Sequence, residues 1–123
     1  MDKEYFYDSY ALIEIFKGNL NYERFGEHTI YTSMMNFYGV YYSILKEFNE
    51  KMAENWRKQL DPVIIEITED DVVEASKFRF KNIKEKLSYI DCLGYIIALR
   101  NKIKFLTGDE KFRDMKNAEF VKK

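Results

Sequence analysis

Hydrophobic residues change their spacing along the chain in a way that predicts alternating strands and helices. A short apolar run at residues 4–7 is typical of a strand, and it ends at Asp8 and Ser9. Apolar residues then recur three and four positions apart until Gly18 and Asn19, which is the spacing of one helix face. The pattern therefore predicts a strand followed directly by a helix.

The same alternation continues in the middle of the chain. Residues 28–33 alternate β-branched and aromatic side chains, as a strand does, and an aromatic-rich helix is predicted from Met34 towards Trp56. The only proline, Pro62, marks a boundary because the residue before a proline is disfavoured in a helix. Residues 63–67 are then expected to form a third strand.

Capping signals open two later helices. Thr68 is followed three positions later by Asp71, and Ser88 is followed in the same way by Asp91. A fourth strand is predicted at residues 103–106, and residues 118–121 are a candidate last strand. The order predicts an α/β fold with three layers, α/β/α, and a mainly parallel central sheet of four or five strands.

The length and the net charge of the chain limit how many domains it can form and how it can bind nucleic acid. With 123 residues, the chain is expected to form a single domain over 1–123. Twenty basic and twenty-one acidic residues give a net charge of −1, so any binding to nucleic acid must depend on a local patch. Charged residues at the start and the lack of a long apolar run argue against a signal peptide and a membrane span, and predict a cytoplasmic protein.

Aromatic residues are unusually frequent, with ten Tyr and ten Phe. Such side chains can fill a core, and they can also form a surface for a partner. Both interpretations apply to one stripe that is wider than a single sheet face requires. The stripe consists of Tyr38, Tyr41, Tyr42, Phe48 and Trp56.

The single cysteine and the single histidine limit the possible chemistry. Cys92 cannot form an internal disulfide, and Cys92 and His28 cannot build a cysteine zinc site or a histidine-rich metal site. Cys92 is expected to be a small buried residue, and His28 a surface or edge residue. Any metal site should therefore use oxygen ligands.

Three aspartates are predicted at the edge of the sheet where ligands bind in open α/β folds. Asp8 follows the first strand, Asp109 follows the fourth, and Asp91 lies in the first turn of a helix that starts at the same edge. Neighbouring strands are about 4.8 Å apart, so these carboxylates could share one Mg²⁺ or Mn²⁺ ion. Each aspartate alone is also an ordinary helix-capping or first-turn residue, and both interpretations stay open.

A segment that mixes basic and aromatic residues lies at positions 77–86. It could hold an RNA backbone near the acidic edge, or it could be a solvated helix face. The candidate RNA contacts are Lys77, Arg79, Lys81 and Lys84.

Four segments of the chain resemble the PIN-domain family, and within it the VapC-like toxins of toxin–antitoxin pairs. They are YFYDSYALIE at residues 5–14, LSYIDCLGY at 87–95, LTGDEKF at 106–112 and AEFV at 118–121. The resemblance implies Asp8, Asp91 and Asp109 as catalytic metal ligands, Mg²⁺ or Mn²⁺ as cofactor, and endonucleolytic cleavage of RNA. It also implies a cognate antitoxin and a homodimer.

One position departs from the family pattern. Gly39 stands where the family has a second acidic residue, a glutamate early in the helix after the second strand. Asn36, three residues earlier and on the same helix face, is a candidate auxiliary ligand or a packing residue. Ser9 and Thr107 are further auxiliary candidates.

Three functions compete at this point. The first is a metal-dependent endoribonuclease that acts as the toxin of a toxin–antitoxin pair. The second is a PIN-like domain with weak or lost catalysis that binds RNA or a protein, and Gly39 favours it. The third is a phosphoaccepting receiver domain, which ranks last because Asp8 has no adjacent acidic residue.

Overall fold

The computed structural model describes residues 3–123, in which strands alternate with helices. The strands are β1 (Tyr5–Tyr7), β2 (Ile30–Thr32), β3 (Val63–Ile64), β4 (Lys104–Thr107) and β5 (Ala118–Phe120). The α-helices are α1 (Ser9–Phe16), α2 (Met34–Glu47), α3 (Glu50–Gln59), α4 (Glu69–Lys81) and α5 (Tyr89–Arg100). Three 3₁₀ helices cover Leu20–Glu27, Ile83–Glu85 and Glu110–Phe112.

All five strands are parallel and form one sheet in the order β3-β2-β1-β4-β5. The central strand β1 pairs with β4 so that Tyr7 lies opposite Leu106, and with β2 so that Phe6 lies opposite Tyr31. Because the strands are parallel, their carboxyl ends meet at one edge. The predicted parallel α/β sheet is confirmed.

The sheet is covered on both faces, which makes three layers. Successive side chains of a strand point to opposite faces. Accordingly Tyr5, Tyr7 and Leu106 belong to one buried cluster, with residues of α1, α2 and α3. Phe6 and Phe105 belong to a second cluster, with residues of α4 and α5. This confirms the predicted α/β/α arrangement.

The predicted helix from Met34 towards Trp56 is in fact two helices. The α2 helix ends at Phe48, which has φ −120° and ψ −97°, and the Asn49 side chain accepts a hydrogen bond from the Met52 N–H to start α3. Asparagine favours such capping positions because its side chain replaces a missing backbone partner. Residues 63–67 also form a shorter strand than predicted, because only Val63–Ile64 pairs with β2.

The 3₁₀ helix Leu20–Glu27 was not predicted. It buries Tyr22 and Phe25, and the Tyr22 hydroxyl donates a hydrogen bond to the Val121 carbonyl at 2.6 Å. The Tyr7 hydroxyl of β1 in turn donates to the Phe25 carbonyl. The segment between α1 and β2 is thus tied to both the central and the edge strand.

Both predicted capping signals are confirmed. Thr68 and Asp71 form a reciprocal capping box at the start of α4, and the Ser88 hydroxyl accepts a hydrogen bond from the Asp91 N–H at the start of α5. Asp71 also accepts the Arg100 guanidinium at 2.7 Å, which connects α4 to the end of α5. Within residues 3–123, no helix has the length and apolar character needed to cross a membrane.

Candidate active site

Asp8, Asp91 and Asp109 line one cavity at the carboxyl edge of the sheet. Asp8 directly follows β1, and its N–H donates to the Leu106 carbonyl of β4 at 3.1 Å. Asp109 lies two residues beyond the end of β4, and Asp91 lies in the first turn of α5. The cavity has a volume of about 310 Å³ and is also lined by Ser9, Tyr10, Ile13, Gly39, Ser43, Ser88 and Ile90.

Asp8 is fully buried, and only one of its two carboxylate oxygens has a partner. Oδ1 accepts a hydrogen bond from the Ala11 N–H at 2.7 Å, which caps α1. Oδ2 has no hydrogen-bond partner among residues 3–123. Burial, with smaller contributions from the charges of Asp91 and Asp109, raises the pKa of Asp8 to about 8 against the lowering effect of nearby Thr107 and of Ala11.

The pKa of Asp91 is raised as well. Its pKa is raised by burial and by the neighbouring Asp109 carboxylate, while Ser88 and the Lys111 ammonium oppose the rise. Carboxylates that line one cavity repel each other when they are ionised, and a bound cation would reduce that repulsion.

Hydrogen bonds within the loop that follows β4 fix the position of Asp109. Its N–H donates to the Thr107 hydroxyl and its Oδ1 accepts the Lys111 N–H, both at 3.0 Å. Gly108 lies between Thr107 and Asp109, where an added Cβ would clash with the Tyr10 ring and the Tyr22 hydroxyl. Glycine is therefore required here by the close approach of two tyrosine side chains.

The donor set fits a hard divalent cation. Mg²⁺ binds through one or two carboxylates and keeps several waters, and Asp8 Oδ2 is a buried carboxyl oxygen without a hydrogen-bond partner in the described part of the chain. No three Asp, Glu, His or Cys side chains within residues 3–123 form a group that could hold a metal ion by themselves. Asp8 with Asp91 or Asp109 would therefore provide the protein ligands, and water or a phosphate the rest.

Comparison with protein families identifies the chain. The PIN domain family matches residues 5–118. The chain belongs to the PIN domain family. Curated proteins provide no matching relative.

Solved structures share the fold of this PIN domain at low sequence identity. VapC20 of Mycobacterium tuberculosis, a toxin that cleaves the sarcin–ricin loop, is 13% identical with a TM-score of 0.80, over 96% of this chain and 99% of that one. VapBC2 of Rickettsia felis, bound to a DNA fragment from its promoter, is 15% identical with a TM-score of 0.74, over 96% and 97%. A toxin–antitoxin complex from Klebsiella pneumoniae is 18% identical with a TM-score of 0.73, over 94% and 96%. The predicted resemblance to VapC-like PIN proteins is confirmed for the fold.

Asn36 of this PIN domain is fully buried, and both ends of its amide have partners. Its Oδ1 accepts the Ser33 hydroxyl at 2.6 Å, and its Nδ2 donates to the Ser9 hydroxyl at 3.1 Å. Asn36 therefore positions Ser9, which lines the cavity, and its own oxygen is already used. Thr107 is also fully buried, beside Asp8 and Asp109.

Gly39 forms part of the cavity wall, as its place in the PIN pattern requires. An added Cβ would lie 3.6 Å from Ile90 Cδ1 and 3.6 Å from Ser9 Oγ, which is ordinary contact. A side chain would therefore fit at this position. Ser43, one helical turn later, lines the same cavity and was not predicted, although its four-residue spacing from Gly39 was a usable signal.

The basic segment of the PIN domain is divided between solvent and contacts with its own chain. Lys77 lies 3.8 Å from Glu74, while Lys81 and Lys84 are exposed. Arg79 donates to the Leu87 carbonyl at 2.9 Å and stacks 4.0 Å above the Tyr89 ring. Contact of these residues with RNA stays a prediction.

Proposed function

We propose that this PIN domain is a divalent-metal-dependent endoribonuclease and the toxin of a toxin–antitoxin pair. The observation that carries the proposal is the fully buried Asp8, which lines a cavity with Asp91 and Asp109 and whose Oδ2 has no hydrogen-bond partner among residues 3–123. A buried ionised carboxylate without a partner is costly, and a bound cation removes that cost. Family membership and the similarity to toxin folds support the same activity.

In this proposal Asp8, together with Asp91 or Asp109, would hold Mg²⁺ or Mn²⁺ in the cavity that all three aspartates line. Such an ion lowers the pKa of a bound water and neutralises charge that develops on the phosphate. The chain's own contribution is to place the ligands: α1 fixes Asp8 through Ala11, and the β4 loop fixes Asp109 through Thr107. Ser9, held by Asn36, and Ser88 supply neutral hydrogen-bonding groups at the cavity wall.

The direct test is cleavage of an unstructured and a structured RNA by purified protein with Mg²⁺, Mn²⁺ or EDTA. Cleavage should require the metal and should fall by at least about 100-fold in Asp8→Asn, since loss of even an outer-shell partner costs about 10–100-fold at metal sites. Asp61→Asn, a change of an exposed acid that does not line the cavity, is the matched control and should cleave normally. Metal-independent cleavage, or no cleavage by folded protein free of antitoxin, would refute the proposal.

A second candidate function is binding of RNA or a protein without effective catalysis. The observation in its favour is Gly39, which leaves the cavity one carboxylate short of the family pattern. Under this alternative, Asp8→Asn leaves RNA binding nearly unchanged and wild type does not cleave. If Gly39→Glu raises kcat, the missing acid is what limits catalysis.

An antitoxin and a second copy of the chain are the proposed protein partners. Among the solved structures with this fold are toxin–antitoxin complexes, which supports the antitoxin. The aromatic stripe suggested the homodimer from the sequence, but its Trp56 is buried and its Tyr41 hydroxyl donates a hydrogen bond to Glu54. The homodimer and the cytoplasmic location stay predictions.

A further inference from the structure

An open apolar cavity of about 250 Å³ adjoins the aspartates on the surface of α2. We name it the base pocket, and it is lined by Met35, Tyr38, Gly39, Tyr42 and Ile90. Tyr38 and Tyr42 lie one helical turn apart and are 66% and 56% exposed. Neither tyrosine hydroxyl has a hydrogen-bond partner within residues 3–123.

The base pocket adjoins the aspartate cavity. Gly39 and Ile90 line both of them. An added Cβ at Gly39 would meet only Ile90 Cδ1 and Ser9 Oγ, each at 3.6 Å, so the wall between the two cavities carries no side chain at this position. The position where the family has an acid therefore lies here between a charged and an aromatic surface.

We propose that the base pocket binds an unpaired nucleobase of the RNA nucleotide next to the phosphate that a divalent cation in the aspartate cavity would hold. The proposal rests on the ribonuclease function proposed above. A phosphate bound through such a cation would bring the attached nucleoside to the wall that the two cavities share at Gly39 and Ile90. No residue that lines the base pocket is charged, and two accessible tyrosine rings offer faces on which a base can stack.

The chemistry of the pocket indicates what class of RNA it accepts. Stacking on an aromatic ring depends on the face of the base, so it tolerates sequence but requires the base to be unpaired. The free tyrosine hydroxyls can add hydrogen bonds to the base edge. Single strands and loops should therefore bind better than a continuous duplex.

Binding can be measured with a short unstructured oligoribonucleotide that carries 2-aminopurine, whose fluorescence falls on stacking. Ca²⁺ replaces Mg²⁺ so that the RNA is bound without being cleaved, and the parent is the full chain with Asp8 intact. Each of Tyr38→Ala and Tyr42→Ala should weaken binding by about 5- to 150-fold, which corresponds to about 1–3 kcal/mol per stacked base. Tyr38→Phe and Tyr42→Phe keep the rings and should stay within about threefold of the parent.

Phe48→Ala is the matched control. Phe48 is 42% exposed, packs against Phe16, and lies at the far end of α2, roughly 15 Å along the helix from Tyr38. Its removal should leave RNA affinity unchanged. An oligonucleotide in which the bases are replaced by abasic sites should bind weakly to the parent chain, and Tyr38→Ala should weaken it no further.

Several outcomes would overturn the base pocket. One is RNA affinity that does not change in Tyr38→Ala and Tyr42→Ala, and another is an abasic oligonucleotide that binds as well as the normal one. A third is a dimer that dissociates in Tyr38→Ala while RNA affinity stays the same, which would show that a second copy covers this face. Failure of the parent chain to bind the oligonucleotide would overturn it as well.

Cleavage kinetics separate this inference from the proposed function. In chains with Asp8 intact, Tyr38→Ala should raise the KM for single-stranded RNA with a smaller effect on kcat. Metal-dependent cleavage with an unchanged KM would refute the base pocket and leave the nuclease standing. Tyrosine-dependent binding without any cleavage would refute the nuclease and keep the base pocket as part of an RNA-binding module.

Discussion

Asp8 combines two roles that make opposite demands on one side chain. Its Oδ1 caps α1 through the Ala11 N–H, which favours an ionised carboxylate, while full burial and the nearby Asp91 and Asp109 charges favour the protonated form. The effect of burial is the larger one, and it raises the pKa of Asp8 to about 8. Without metal, Asp8 should therefore weaken the fold whenever it is ionised.

This conflict predicts a pH dependence of stability. A carboxyl group with a raised pKa contributes most to folding below its unfolded pKa of about 4, and the contribution is lost as the pH rises through about 8. Asp8→Asn removes the titration but keeps a capping oxygen. In EDTA, the free energy of unfolding of wild type relative to Asp8→Asn should fall between pH 5 and pH 8.5, as measured by urea unfolding.

Saturating Mn²⁺ is the control for that measurement, because a cation at the carboxylates should reduce the difference between wild type and variant at high pH. A pH-independent difference in EDTA would show that Asp8 is not the titrating group.

At the residue scale, the sequence was sufficient to predict Asp8, Asp91 and Asp109 at one edge, because each follows or opens an element in a regular pattern. The sequence could not predict that the Asn36 amide is hydrogen-bonded to both Ser33 and Ser9, since those hydrogen bonds depend on how α1 and α2 pack. Nor could it show that Gly39 lines two neighbouring cavities.

At the scale of elements, local signals decided where helices begin, and tertiary contacts decided much of the rest. Thr68 and Ser88 cap α4 and α5 as their spacing predicted. The break at Asn49 was missed because the apolar spacing continues through it, and the 3₁₀ helix Leu20–Glu27 was missed because long-range contacts such as that of Tyr22 with Val121 hold it.

Two helix glycines provide a matched test of packing. An added Cβ at Gly94 of α5 would lie 2.8 Å from Phe6 Cε1 and 3.2 Å from Phe105 Cε1, whereas at Gly39 of α2 it meets nothing closer than 3.6 Å. Gly94→Ala should therefore destabilise the fold by about 1–3 kcal/mol through overpacking. Gly39→Ala should be neutral or stabilising by up to about 1 kcal/mol, because alanine favours the helix.

Urea unfolding of the two alanine variants at pH 6 measures both changes. Equal effects in the two variants would contradict the close approach of α5 to β1 and β4, which fixes the position of Asp91 at the start of the same helix.

At the scale of the whole molecule, the parallel sheet is what brings the candidate site together. Residues 8, 91 and 109 are far apart in sequence, yet the order β3-β2-β1-β4-β5 places β1 and β4 side by side and α5 at their carboxyl edge. The alternation of strands and helices predicted this topology class. The exact strand order could be read only from the structure, since several orders satisfy the same alternation.

Binding of Mn²⁺ in the absence of RNA tests the central claim most directly. Titration followed by calorimetry and by the electron paramagnetic resonance of free Mn²⁺ should detect a specific site in wild type. Affinity should fall by at least about 100-fold in Asp8→Asn, which removes a ligand rather than an outer-shell partner, and should not change in Asp61→Asn. A wild-type chain that is folded but binds no Mn²⁺, or an Asp8→Asn variant that binds as tightly as wild type, would contradict the account.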